Sequence, residues 1–311
     1  MSNMLIIKHG SLGDLIQANG AMKDIKNNFS DHKIMLLTTP PYADFMSSCP
    51  YIDGVLIDKR LPRWNLFYLN KLKKMIKRFS FTKIFDLQNS SRTKFYKKFF
   101  FNKDIFWSDS QSFASKETLL SEKKLPVLDR MELQLARSGI SETKFIKKPD
   151  LTWAIKNVNN IINQNFDGDY ILLFPFCSVK LVKKKWPYYE DLIALLKRNY
   201  GSKYNIAIAP GPSEIEEAKK FKANVILNKG LSLNLIELVS LIYKANYVVS
   251  NDTGPAHICA HLNKKGLALF GSHTTPEKVS IETENFKCIK VKNLKDLNVS
   301  DVYEKVKDEL K

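Results

Sequence analysis

The sequence predicts an α/β protein built as two doubly wound halves, and three features carry that prediction. Short runs rich in Ile, Leu and Val alternate with longer amphipathic stretches. The runs are apolar throughout rather than at every second residue, as strands of a parallel sheet covered on both faces must be. The alternation lapses in a polar stretch ending near "KKPD" (147–150) and then begins again. A chain of 311 residues also exceeds what one core usually serves, so domains over 1–150 and 151–311 are expected.

In the first half "NMLIIKH" reads as a strand and "DLIQANGAMKDIKNNF" as one amphipathic helix, with Leu15, Ala18, Met22 and Ile25 on a common face. "KIMLLTT" is the second strand, and the prolines of "PPYADFMSSC" start a helix. The strand "DGVLID", a helix over 65–79 and the strand "TKIFDLQ" follow. The second half opens with the strand "DYILLFPF", a helix starting at Pro187 in "WPYYEDLIALLKRNYG", and the strand "YNIAIAP". The helix "SEIEEAKKF", the strand "NVILNKG" and the helix "NLIELVSLIYKA" come next. The strand "NYVVSND", the helix "PAHICAHL" and the strand "KGLALFG" complete the alternation. The last helix, "VSDVYEKVKDEL", has no following strand and is free to pack back on the N-terminal domain. Ligands of such sheets bind beyond the carboxyl ends of the strands, so the strand-to-helix turns are the places to look for chemistry.

Composition narrows the classes. No apolar run approaches the ~18 residues of a membrane span, and the N-terminus lacks a signal-peptide pattern. Cys49, Cys177, Cys259 and Cys288 lie far apart with no CxxC, which speaks against a zinc site or disulfide framework and suits a reducing cytoplasm. The formal net charge is +17, and residues 1–150 carry 26 basic against 15 acidic side chains. Nine basic residues and no acid lie between Lys59 and Phe85, and "RTKFYKKFFFNK" (92–103) mixes five cations with five aromatics. Such a surface attracts an anionic partner, whether nucleic acid, acidic lipid headgroups or an acidic glycan; a lysine-rich solubilising face explains it equally well. No RRM, HTH or KH pattern supports nucleic acid.

Four turns carry candidate chemistry. In "VVSNDTGPAHICAH" a strand ends at Ser250, Asn251-Asp252-Thr253-Gly254 turn, and Pro255 suits the first position of a helix. A helix start of this kind presents free N–H groups and the positive end of the dipole to phosphate. Asp252 would repel phosphate, so it caps the helix or orients a lysine or sugar hydroxyl. His257 and His261 stand at zinc-binding spacing, but no HExxH pattern or third ligand accompanies them. In "SVKLVKKKWPYYEDL", Lys183, Lys184 and Lys185 precede a helix start, a poor place for cations unless an anion lies between. In "APGPSEIEEAKKF", Glu214 could accept from a ribose hydroxyl or only favour the helix start. "GSLGD" is neither a dinucleotide fingerprint nor a P-loop. Its Asp14 is either a helix cap or, partly desolvated in a closing cleft, a general base.

The chain resembles glycosyltransferase family 9, the bacterial ADP-heptose:lipopolysaccharide heptosyltransferases. The likeness rests on "LIIKHGSLGDLIQANGAMKDIKNNF", "YILLFPFCSVKLVKKKWPYYEDL", "APGPSEIEEA" and "VVSNDTGPAHICAHLNKKGLALFGS", with the SxGD and DTGPxH turns in this order. The resemblance implies a GT-B fold, two Rossmann-like domains facing across a cleft, with acceptor on the N-terminal side and nucleotide-sugar on the C-terminal side. It implies inverting transfer without an active-site metal or a cofactor. Carried across by residue, the base falls on Asp14 and the diphosphate-binding lysine on Lys184. The ribose acid falls on Glu214, and the turn surrounding the donor on Asp252, Thr253, Gly254 and His257. Arg92 is the acceptor-binding cation, joined by Lys8 and Ser11 beside the first turn. The expected partners are a nucleotide-sugar donor, ADP-heptose, and an anionic glycolipid acceptor, with no nucleic acid. The expected location is the cytoplasm, peripherally at the inner face of the inner membrane. Two departures flank the donor pocket: the family's His-Pro-Gly is Phe174-Pro175-Phe176, and its FGPTDP loop is the longer "FGSHTTPE" (270–277). Alternatives are a different nucleotide-sugar on the same fold, or a non-catalytic polyanion-binding relative.

Overall fold

The computed structural model describes residues 2–148 and 150–310. Pro149, inside the polar stretch between the halves, lies outside the described residues. The chain divides into two compact units, one ending at Trp153 and the other beginning at Ala154.

The first unit runs β1 (Asn3–Ile7), α1 (Leu12–Gln17), α2 (Asn19–Asn28), β2 (Lys33–Thr38), α3 (Pro40–Ser47), β3 (Gly54–Ile57), α4 (Leu66–Lys77), β4 (Phe81–Asp86), α5 (Ser91–Phe100), β5 (Phe106–Ser108), α6 (Lys116–Glu122) and α7 (Val127–Arg137). Its five strands are parallel in the order β3-β2-β1-β4-β5. Met4 to Ile7 are fully buried, as an inner strand covered on both faces requires. The helix expected over 14–29 is two helices that meet at Ala18. The break falls beside Gly20, where α2 is pressed against the backbone of Phe145 and Ile146. The basic, aromatic run of 92–103 is mostly α5, which buries Tyr96 and Phe100 and leaves Phe99 half exposed.

The second unit runs α8 (Asn159–Asn165), β6 (Tyr170–Phe174), a 3-10 turn over Val179–Lys184, α9 (Tyr189–Tyr200), β7 (Asn205–Ile208), α10 (Ile215–Ala218), β8 (Asn224–Val225), α11 (Leu235–Lys244), β9 (Tyr247–Asn251), α12 (Gly254–His261), β10 (Gly266–Phe270), α13 (Pro276–Val279), β11 (Phe286–Lys290) and α14 (Val299–Glu309). Six parallel strands stand in the order β11-β10-β9-β6-β7-β8. Helix α14, which the sequence left free to pack back on the first domain, is anchored in this unit's own core through Val302, Val306 and Leu310. Among the described residues no helix is long and apolar enough to cross a membrane.

The two units share one winding. In each, the first strand lies between the second and the fourth, so strand order reverses between β1 and β4 and again between β6 and β9. Beyond the carboxyl edge at such a reversal, the loops on either side diverge and leave a crevice for a ligand.

Candidate functional site

At the first reversal, the turn after β1 supplies Lys8, His9, Ser11 and Asp14, and the turn after β4 supplies Leu87, Gln88 and Asn89. The Lys8 ammonium, buried among these turns, donates to the Leu87 carbonyl at 2.9 Å, and the His9 N–H donates to Gln88 Oε1 at 2.8 Å. Burial pushes the Lys8 pKa down, with Arg130 adding to the effect and the charges of Asp14 and Asp86 opposing it. Asp14 is the third residue of α1; its Oδ2 accepts from the Ser11 N–H at 2.9 Å and the Ser11 hydroxyl at 3.0 Å. The carboxylate therefore caps the turn through Oδ2, with Oδ1 unbonded among the described residues. Lys8 and Asp14 line a cavity of 410 Å³ together with Glu122, Arg130 and Gln134. Arg130 enters no ion pair among the described residues, and its buried Nε makes no hydrogen bond. Sequence reasoning missed Arg130 because helix α7 was not foreseen.

Arg92 is placed elsewhere. Its Nε and Nη2 lie 3.1 and 3.2 Å from the two oxygens of Asp58, and its Nη1 donates to the Leu61 carbonyl at 2.8 Å. Asp58, fully buried just past β3, also accepts from Tyr68 Oη at 2.6 Å, Tyr96 Oη at 2.5 Å and the Arg60 N–H at 2.7 Å. His9 Nε2 stands 3.1 Å from Asp58 Oδ2, an ion-pair distance without hydrogen-bond alignment. Burial alone would raise the Asp58 pKa, but His9, Tyr68 and Tyr96 outweigh it and hold the carboxyl below the ordinary range. The network ties the Asp14-bearing turn, through His9, to the ends of β3 and α5. Arg92 is spent on that tie and does not line the Asp14 cavity.

At the second reversal, Asp252 is 3% exposed and gathers three cationic or titratable side chains. Lys184 Nζ lies 2.7 Å and His273 Nε2 2.7 Å from its Oδ2, and His257 Nε2 is 3.8 Å from Oδ1. Burial raises its pKa, yet Lys184 and the histidines prevail and lower it. Lys184 is aimed here because Trp186, fully buried, donates its N–H to Asn251 Oδ1 at 3.2 Å and its Nε1–H to the Leu297 carbonyl at 3.0 Å. The lysine run thus needs no external anion to explain it: Lys184 pairs with Asp252 and Lys185 with Glu217, and α9 begins only at Tyr189 with Glu190 and Asp191 in its first turn. Thr253, not Asp252, is the N-cap of α12, which starts at Gly254 with Pro255 in its first turn. Pro255 has no N–H and the Ala256 and His257 N–H groups donate to the Thr253 carbonyl, so the Gly254 N–H and one remaining proton of Lys184 are the donors suited to a diphosphate. Glu214 lies past β7 with Oε2 accepting from the Gly211 N–H at 2.8 Å, and burial raises its pKa. His273 was overlooked because its loop, 270–277, has no regular pattern. No group of three His, Cys, Asp or Glu side chains among the described residues is placed to hold a metal ion.

Two Rossmann-like sheets, each with a polar site at its strand reversal, define the class: a GT-B α/β protein. The family model of glycosyltransferase family 9 (heptosyltransferase) matches residues 69–307. Lipooligosaccharide heptosyltransferase 2 of Campylobacter jejuni is 23% identical over 296 residues, 89% of this chain and 83% of that protein. Among solved structures, E. coli heptosyltransferase WaaC with ADP superposes with a TM-score of 0.72 at 19% identity, covering 99% of both chains. WaaC with ADP-2-deoxy-2-fluoro heptose gives the same TM-score of 0.72 at 18% identity, over 98% of this chain and 99% of that one. E. coli ADP-heptose lps heptosyltransferase II gives 0.72 at 16% identity over 100% and 98%. The chain belongs to glycosyltransferase family 9 and is a glycosyltransferase of the heptosyltransferase kind.

Proposed function

We propose that the protein is an inverting, metal-independent transferase that moves heptose from ADP-heptose to an anionic lipopolysaccharide-core acceptor. The observation that carries this reading is Asp14: a carboxylate held by one oxygen, the other unbonded among the described residues, in a cavity that also presents Lys8 and Arg130. The cations suit an acceptor bearing phosphate or carboxylate groups, and Asp14 takes the proton from its attacking hydroxyl. That oxygen forms the new bond at the anomeric carbon as the nucleoside diphosphate departs from the opposite face, which inverts the centre. Lys184 and the Gly254 N–H at the start of α12 stabilise the charge growing on the leaving diphosphate. Asp252 and His273 hold Lys184 in place, and Glu214 receives the ribose hydroxyls. The relative solved with ADP and with a fluorinated ADP-heptose supports ADP-heptose as donor. We place the reaction in the cytoplasm, in keeping with four unpaired cysteines.

A second reading keeps the chemistry and changes the nucleotide-sugar. It is favoured by Phe174 and Phe176, both buried where the family has His and Gly, and by His273 in the lengthened loop bonding Asp252. Thermal-shift measurements with ADP-, UDP-, GDP- and dTDP-linked sugars separate the two. Asp14→Asn is expected to lower kcat by ~10²–10⁴-fold, the usual worth of a general base. Full turnover by this variant would remove Asp14 as the base. No stabilisation by any of the four nucleotide-sugars would favour a polyanion-binding relative instead.

A further inference from the structure

Helix α4 and the loop before it leave an apolar cluster in solvent that the transfer chemistry does not use. Trp64 is 80% exposed, Leu66 73% and Phe67 84%, three large side chains within four positions. They stand together because the Leu66 N–H bonds the Trp64 carbonyl at 2.9 Å and Asn65 caps α4 by accepting from the Tyr68 N–H at 2.9 Å. The opposite face of α4 is fixed in the core by Leu69, Leu72 and Ile76. Its outward stripe therefore runs Phe67, Lys71, Lys74 and Arg78, at the spacing of helical neighbours. Lys59, Arg60 and Arg63 precede the cluster in the chain, Lys59 lining the groove beside it, and no acidic residue occurs from Lys59 to Phe85. On a flank of α4, Lys73 Nζ donates to the Phe99 carbonyl at 2.6 Å and so joins α4 to α5. A groove of 790 Å³ lies between α4 and the 57–61 segment, with Ile57, Leu61, Phe67 and Met75 in its walls.

We propose that this surface is where the protein docks on an anionic lipid bilayer, with Trp64, Leu66 and Phe67 entering the headgroup region and the surrounding lysines and arginines meeting lipid phosphates. An apolar prong ringed by cations is the pattern of interfacial binding, aromatics at headgroup depth and positive charge at the anionic surface. The occupant is a bilayer rather than single-stranded nucleic acid because aliphatic side chains accompany the aromatics: Leu66 stands between Trp64 and Phe67, and Ile57 and Leu61 line the groove beside them. Stacking platforms for bases are aromatic, whereas Leu66, Ile57 and Leu61 offer no ring to stack on and the groove suits hydrocarbon. The proposal goes beyond the transfer reading and stands without it.

The protein supplies its own probe. Trp107 and Trp186 are 5% and 0% exposed and Trp153 is half-buried, so the part of a fluorescence response to lipid that Trp64→Ser removes reports Trp64. Phosphatidylglycerol–phosphatidylcholine vesicles at low salt are expected to pull the protein down and shift its emission to the blue, and phosphatidylcholine alone to do neither. Combining Trp64→Ser with Phe67→Ser should lower the partition coefficient about 100-fold, roughly tenfold for each large side chain kept out of the interface. The pair Lys71→Glu and Lys74→Glu should weaken binding and flatten its salt dependence. Circular-dichroism melts of both variants should match the parent, since all four side chains are exposed. Absence of vesicle binding at low salt overturns the proposal. So does a Trp64→Ser, Phe67→Ser variant that binds vesicles like the parent, or one that loses affinity for single-stranded RNA and keeps its affinity for vesicles.

Discussion

Asp58 has no exposed surface, yet its two oxygens serve Arg92, Tyr68, Tyr96, the Arg60 N–H and the His9 ring. Removing the carboxylate strands a half-buried guanidinium, the half-buried Tyr68 hydroxyl and the buried Tyr96 hydroxyl, so Asp58→Ala is expected to lose about 3 kcal/mol of stability. Tyr96→Phe, which removes one donor and leaves the carboxylate its other partners, should lose only about 1–2 kcal/mol. The pH dependence has a definite sign. A carboxyl whose pKa is lowered by folding takes up its proton at lower pH in the native state than in the unfolded chain. The stability it contributes is complete above the unfolded value, ~3.9, and is lost as pH falls toward the folded one. Asp252, lowered by Lys184 and its histidines against the pull of burial, acts in the same direction. The parent should therefore shed stability below about pH 4, and Asp58→Asn, weaker at neutral pH, should shed less of what remains. Urea midpoints at neutral and acid pH measure both, and parallel losses in the two proteins would contradict the assignment. None of this network was legible in the sequence. Asp58 closes a strand and His9 opens a turn, while Tyr96 sits in a run whose charges disguised a helix; only the tertiary fold brings them to one point.

At the scale of elements, the inner strands were readable because burial on both faces leaves them continuously apolar: β1, β2, β6, β9 and β10 all lie inside runs identified beforehand. Elements governed by position were not. Strand β11, "FKCIK", lies at the sheet edge with only Phe286 fully covered, and α6 and α8 are short helices in polar stretches, whereas α7 buries Leu128, Met131 and Leu135 at helical spacing and was passed over for the charges between them. The division of α1 from α2 shows the same limit, for the residues of 14–29 favour one helix and the reason for two lies more than a hundred residues away. A Cβ on Gly20 would stand 2.3 Å from the Phe145 carbonyl oxygen and 2.8 Å from Ile146 Cα. That backbone is held in turn by Asp24, 1% exposed, whose carboxylate accepts from the N–H groups of Lys144, Phe145 and Ile146 at 2.8 to 3.1 Å. Gly20→Ala thus sets two effects against each other. Alanine favours a helix by about 1 kcal/mol over glycine, whereas displacing a packed backbone costs about 1–3 kcal/mol. With backbone as the neighbour, displacement wins, and the variant should unfold at lower urea. A midpoint at or above the parent's would show that segment 144–146 yields freely.

Across the whole molecule, one winding is used twice and its strand reversal is given different chemistry each time. The first reversal carries a carboxylate with one oxygen unbonded among the described residues, in a cavity shared with buried Lys8 and half-buried Arg130; the second carries a cation held by a buried carboxylate at a helix start. The sequence disclosed the two turns through SxGD and DTGPxH, but not the partners that arm them, Arg130 and His273, which come from segments without a motif. If the units divide the labour in this way, a variant in each should fail differently. Lys184→Ala removes a charged donor from the diphosphate, a loss of about 1.5–3 kcal/mol, and so should weaken ADP binding about 10–100-fold. Asp14→Asn removes the proposed proton acceptor from the unit not assigned to the nucleotide, and on that proposal should leave ADP affinity within about twofold while abolishing most turnover. Titration calorimetry with ADP on both variants, beside their kcat values, makes the comparison. Equal losses of ADP affinity in the two would mean that Asp14 helps to bind the donor or that Lys184 serves only to neutralise Asp252. The second possibility is separated by Asp252→Asn, which frees Lys184 from its carboxylate. If the lysine grips phosphate, this change should preserve more ADP affinity than Lys184→Ala does; if the pair is merely structural, the two changes should weaken binding alike.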